Sequence, residues 1–173
     1  NKVIHFAYGD YYQLDLYLKN GFQTELHSKA SSFIESMSYR GTTKNYNNYY
    51  AKKEQLRQTK YGFDTLYALD PIPFLANLEA YKNKLINSLP EKDSVFKGNE
   101  VNKINYEINN FASTYWNYHP YVAKKSNFIE PASIKALYEN VPLDNEEHFK
   151  KYLSYKGLIS TMSWTTTSRK IDT

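Results

Sequence analysis

The apolar and polar positions of the chain alternate between two periods, two residues and about 3.6, and each change of period marks an expected element. Residues 3–7 are apolar and β-branched at their start, the pattern of a buried strand, and Gly9-Asp10 breaks it. Leu14, Tyr17 and Leu18 then fall at helical spacing, and Asn20-Gly21 is a helix stop. Residues 31–39 alternate as a short strand, and the Arg40-Gly41-Thr42-Thr43 turn offers a threonine cap. A charged helix is expected over 44–58, carrying Tyr46, Tyr49, Tyr50 and Leu56, with Gly62 as its stop. Residues 63–69 form the clearest alternating strand, ended by Asp70-Pro71-Ile72-Pro73, whose prolines forbid both a helix and a central strand at that point.

Residues 74–89 fit a helix with Leu75, Leu78, Tyr81, Leu85 and Ile86 on one side, and 90–99 a polar loop. A second helix is expected over 101–115, with Ile104, Ile108 and Phe111 in step. The aromatic stretch 115–121 reads as a strand, 124–127 as a loop, and 128–138 as a proline-entered turn passing into a strand. A helix over 145–155 and a last strand over 158–164 complete the chain. Helices and strands mix without strict alternation, which defines an α+β class, and the absence of repeats or low-complexity linkers makes 1–173 a single expected domain.

Composition changes this picture in one respect. Eighteen tyrosines, nine phenylalanines and two tryptophans supply much of the apolar surface of an otherwise polar chain, so many rings should sit half-buried in sheets or at a contact surface. The formal charge of +4 is scattered among Asp and Glu with no arginine-rich stripe, which leaves nucleic-acid binding without support. Without cysteine there are no disulfides, thiolate metal sites or cysteine nucleophiles in the sequence. No apolar run approaches the ~18 residues of a membrane span, so no transmembrane segment is expected. The chain starts at Asn1, immediately before a strand, as a mature secreted chain or a cut fragment does; the expected location is secreted.

Candidate chemistry is sparse. His5, His27, His119 and His148 share no metal-ligand spacing, so no metal is expected. Neither a glycine-rich phosphate loop nor a G-x-S-x-G elbow is present. Glu35 and Glu146-Glu147 have the chemistry of general bases, although such carboxylates are mostly solvated, and His5 on an apolar strand is more often a core histidine than a catalyst. The turn after the first strand places a strand end beside an expected helix N-terminus, a common seat for phosphate or carboxylate.

The order of segments carries more. Ala7-Tyr8-Gly9-Asp10 and Asn20-Gly21-Phe22, then Phe33-Ile34-Glu35-Ser36-Met37-Ser38, then 66–74 and Ile129-Glu130-Pro131-Ala132-Ser133-Ile134 follow one another at family-like intervals. In this ordered set the chain resembles the catalytic subunits of pertussis-like and cholera-like toxins, which are mono-ADP-ribosyltransferases. The resemblance covers about 3–140, with 141–173 as a C-terminal extension, and implies a split mixed sheet with flanking helices and NAD as co-substrate. In the family an arginine anchors NAD, a serine motif orients the nicotinamide half, and a glutamate stabilises the oxocarbenium-like charge. Here the arginine position holds Tyr8, or His5 with a shifted strand end. The serine motif reads Glu35-Ser36-Met37 or Ser36-Met37-Ser38, and the glutamate position falls on Val122, with Glu107 and Glu130 out of place. The implied site is therefore His5, Tyr8 and Glu35 in catalytic positions and Tyr8, Asp10, Ser36 and Ser38 toward NAD.

A similarity to the other toxin branch, through Ser38-Tyr39-Arg40-Gly41 and 157–163, leaves too little chain for its closing glutamate motif. The leading expectation is a toxin-type pseudoenzyme that acts by binding a protein partner or toxin-assembly subunits. An active transferase with replaced site residues, and an unrelated Tyr-rich binding or immunity-type protein, are the alternatives.

Overall fold

The computed structural model of the chain describes the backbone of residues 2–8, 12–18, 24–28, 37–41 and 43–171, with side chains from 43 to 164. It divides into two compact units, Asn1–Lys60 with Ser88–Asp93, and Tyr61–Asn87 with Ser94–Thr173.

In the first unit, β1 (Lys2–Tyr8) pairs antiparallel with β2 (Tyr12–Leu18), from Lys2↔Leu18 to Tyr8↔Tyr12. Separately, β3 (Thr24–Ser28) pairs antiparallel with β4 (Met37–Gly41), from Thr24↔Gly41 to Ser28↔Met37. The helix expected around Leu14, Tyr17 and Leu18 is thus a strand. Leu14, Leu16 and Leu18 also alternate, and a segment this short gains more from a full ladder with β1 than from a helix below its stable length. Gly41 takes φ 87°, the left-handed region that glycine enters without penalty, where β4 gives way to the next element.

That element is α1 (Lys44–Thr59), which packs on β2 and β4. The Thr43 hydroxyl does not cap it; Asn47 Nδ2 instead donates back to Thr43 O at 3.3 Å and to Thr43 Oγ1 at 3.4 Å. On the exposed face Arg57 grips Glu54 through two hydrogen bonds of 3.0 and 2.9 Å.

Every regular element described in the second unit is a helix: α2 (Phe63–Tyr67), α3 (Pro71–Asn87), α4 (Ser94–Val122), α5 (Ala132–Lys135), α6 (Glu146–Lys151) and α7 (Leu153–Ile171). α4 is the spine, with α3 and α7 packed along it. Its buried stripe runs Phe96, Glu100, Ile104, Ile108, Ala112, Tyr115 and His119, steps of three and four that keep one face inward through the whole helix. Phe74, Leu78, Tyr81 and Leu85 from α3 and Tyr155 and Leu158 from α7 complete a core in which tyrosines take places usually filled by leucines.

This architecture overturns the expected α+β, ADP-ribosyltransferase-like split mixed sheet. The strands are two separate two-stranded sheets before α1, and every strand expected in the second unit is helix or turn. Residues 63–69 begin as α2, because Phe63, Leu66 and Tyr67 also fit one helical turn and Gly62 caps it. Pro71 and Pro73 open α3 rather than exclude it: first-turn amides have no intrahelical acceptor, so a missing donor there costs nothing. The 90–99 loop gives way to α4 from Ser94, and the 115–121 strand is the last part of the same helix. Pro120 falls in the final turn and removes a single ladder bond. Residues 132–138 make the short α5 and following turns around buried Ile134 and Tyr138, and 158–164 lie inside α7.

Two glycines in helix interiors touch nothing that a methyl group would meet: nothing lies within 4 Å of a Cβ built at Gly98 or Gly157. Gly98→Ala and Gly157→Ala are each expected to raise unfolding free energy by roughly 0.5–1 kcal/mol, the helix-propensity difference, measurable by urea denaturation.

Candidate functional site

The most unusual chemistry in the second unit gathers where α2, the start of α3, the end of α4 and the loop after it meet. α4 ends in a Schellman-type turn: Lys125 N–H reaches back to Pro120 O at 2.9 Å, and Lys124 takes φ 52° where glycine is usual. Asn127 follows at φ 57°. Two left-handed residues so close fold the loop back and set the Lys125 ammonium on the Asp70 carboxylate at the entry to α3.

Beneath that pair lies His119. Its ring is fully buried, stacked on Tyr115 at 4.6 Å with 12° between planes, and met edge-on by Phe128 at 4.8 Å. Nδ1–H donates to Tyr67 O at 2.9 Å, so in the neutral ring Nε2 is the acceptor. Nε2 has no hydrogen-bond partner, and Asp70 Oδ1 lies 3.9 Å from it. Tyr115 donates its hydroxyl to Leu69 O at 2.7 Å, and the Tyr67 hydroxyl is bonded to Thr114 Oγ1.

The electrostatics follow from these contacts. Lys125, by its hydrogen bond and then by its charge, holds the Asp70 carboxyl below the usual carboxylate range. Burial pushes the Tyr115 phenol up, with a smaller contribution from the Asp70 charge. Burial does the same for Tyr67 against the opposing hydrogen bond from Thr114. Both phenols are therefore hydrogen-bonding groups and not acids at ordinary pH.

The arrangement is not that of a catalytic dyad. A base of that kind turns one nitrogen to a carboxylate and the other to a nucleophile. Here one nitrogen is held by a backbone carbonyl and the other faces the carboxylate from beneath.

Within four residues of Asp70 or Lys125 in sequence are three strongly exposed apolar side chains: Ile72 at 82%, Tyr121 at 80% and Ile129 at 87%. They come from α3, α4 and the following loop. Phe63, also exposed, packs its ring on Tyr118 at 4.7 Å and Tyr67 at 4.9 Å at the same end.

A second polar cluster, where α6 and α7 join α4, is closed. The Tyr152 hydroxyl donates to Asn99 Oδ1 at 3.0 Å and accepts from Asn102 Nδ2 at 3.1 Å. Tyr155 donates to Pro142 O at 2.7 Å and accepts from Asn145 N–H at 3.1 Å, and His148 Nδ1 is bonded to the Tyr106 hydroxyl. Glu146 and Glu147, sequence candidates for bases, are exposed at 78% and 79% and face Lys150 and Lys151 one turn on, a solvated helix face.

The sequence-predicted site lies elsewhere. His5 and Tyr8 are on β1, opposite Asp15 and Tyr12, and Ser38 is on β4, opposite His27. These strands belong to different sheets, so the structure does not bring them side by side in one sheet. Asp10, Glu35 and Ser36 lie outside the described residues. His119 was legible only as a histidine without metal spacing; its place at the end of the stripe Ile104, Ile108, Ala112, Tyr115 was the signal of its burial.

No protein family, curated protein or solved structure matches the chain significantly. Among the described residues no group of three or more His, Asp or Glu side chains is placed to hold a metal ion, and no helix is long and apolar enough to cross a membrane.

Proposed function

We propose that the chain is a protein-binding module that engages its partner through the end formed by Ile72, Tyr121 and Ile129 around the Asp70–Lys125 pair. The observation that carries this reading is the set of three apolar side chains, each at least 80% exposed, on three segments that the Asp70–Lys125 contact holds together. Single exposed apolar residues are ordinary; several on segments joined by one charged pair have the composition of an interface centre with polar groups to fix register. The tyrosine-rich composition supports the same reading, since tyrosine is enriched in contact surfaces.

The test is a photo-crosslinking residue placed at Tyr121 or Ile129 in cells that express the chain. A discrete protein adduct is expected at both, weakened about tenfold or more by Ile72→Asp, as for loss of an interface anchor, and absent from position 83 on an exposed face of α3. Equal adducts at all three positions, or none at any, would contradict the reading. The same reading expects no heat on calorimetric titration with NAD and no nicotinamide release. Saturable binding, lost in His5→Ala or Ser38→Ala, would instead return function to the N-terminal strands.

A further inference from the structure

His119 has a feature that the binding surface does not use. A neutral imidazole has one donor and one acceptor. The donor, Nδ1–H, is spent on Tyr67 O, and the acceptor, Nε2, is buried with no partner and turned toward a carboxylate that has no proton to give. A protonated ring reverses this: Nδ1–H keeps its carbonyl, and Nε2–H gains an acceptor in Asp70 Oδ1. The 3.9 Å separation is about 1 Å too long for that hydrogen bond. Asp70 has room to shift, since its side chain is 61% exposed and is tied to Lys125, itself 46% exposed.

The geometry points to a proton-operated latch: uptake of a proton from solvent at His119 Nε2 draws Asp70 onto the ring and clamps the entry of α3 to the end of α4. The titratable and charged groups around the ring are Asp70 at the α3 entry, Lys125 on the loop, Tyr67 on α2 and Tyr115 on α4. Burial keeps both phenols protonated, and the hydrogen bond and charge of Lys125 favour the ionised form of Asp70. Among side chains of these kinds, imidazole is the one that ordinarily takes up a proton between pH 8 and 5. The latch clamps the segments that carry Ile72, Tyr121 and Ile129, but its existence does not depend on what those residues bind.

Two measurements on the full chain decide it. The first compares the stability of the wild type with that of Asp70→Asn, a substitution at an exposed side chain. Protons taken up in the folded state with Asp70 as acceptor add stability that is present at low pH and lost as pH rises. The gap between the two proteins should therefore grow on going from pH 8 to pH 5, by about tenfold in the unfolding equilibrium constant. Loss of the Asp70–Lys125 pair alone would give a gap that does not change over this range, because carboxylates and ammonium groups ordinarily titrate outside it. The growth should persist in a Lys125→Met background. The second is the nitrogen-15 shift of His119 Nε2, which should move from the unprotonated to the protonated position between pH 8 and 5. A constant gap, growth that vanishes without Lys125, or an Nε2 still unprotonated at pH 5 would each overturn the latch.

Discussion

Truncating Tyr115 to alanine is expected to lower the unfolding free energy by roughly 3–5 kcal/mol, the range for removing a buried aromatic ring. The ring is fully buried and lies 4.1 Å from that of Phe74, 4.6 Å from that of His119 and 5.7 Å from that of Phe128. Its hydroxyl also satisfies Leu69 O at the corner between α2 and α3. Removing it opens a cavity between three elements and leaves a backbone carbonyl without its donor, so the two losses act together. Tyr115→Phe separates them and is expected to cost about 1 kcal/mol, the hydrogen-bond part alone. Urea denaturation with intrinsic fluorescence measures both; an alanine variant within ~1 kcal/mol of wild type would remove Tyr115 from the centre of the core.

The second large effect separates helix from strand directly. Ser160 is exposed in the interior of α7, so substitutions there change backbone and little else. Ser160→Pro removes the donor that closes onto the Lys156 carbonyl and sets the proline ring against that carbonyl, a loss of about 3 kcal/mol or more in a helix interior. Ser160→Ala should be neutral or slightly stabilising, because alanine is the better helix former. On an exposed edge strand the proline would be tolerated, so near-wild-type stability for Ser160→Pro would speak against α7.

Those two variants bear on where sequence reading fails for this chain. The helices at 44–58 and 74–89 were legible because Leu56, Leu78, Tyr81 and Leu85 repeat at helical spacing without strong competing alternation. The later segments were misread because aromatic and β-branched residues carry strand propensity wherever they stand. The aromatic stretch 115–121 was read as a strand, and so was 158–164. In the structure their surroundings override that preference: Trp116 and Trp164 meet at 5.9 Å across α4 and α7, and Tyr155 and Leu158 are buried one turn apart. Pro71 and Pro73 were read as breakers although their spacing also fits a helix start.

The resemblance to toxin transferases rested on strand order, so it failed with the strands. What sequence could show of the candidate site was the buried stripe of α4. What it could not show is that Lys124 turns left-handed and carries Lys125 back to Asp70 across 55 residues of chain.

Backbone carbon chemical shifts over residues 115–121 and 158–164 test the helical architecture most directly. Helical values through both stretches, continuous past Tyr115 and Leu158, are predicted. Extended values in either would contradict the α4–α7 pairing and restore a sheet to the second unit.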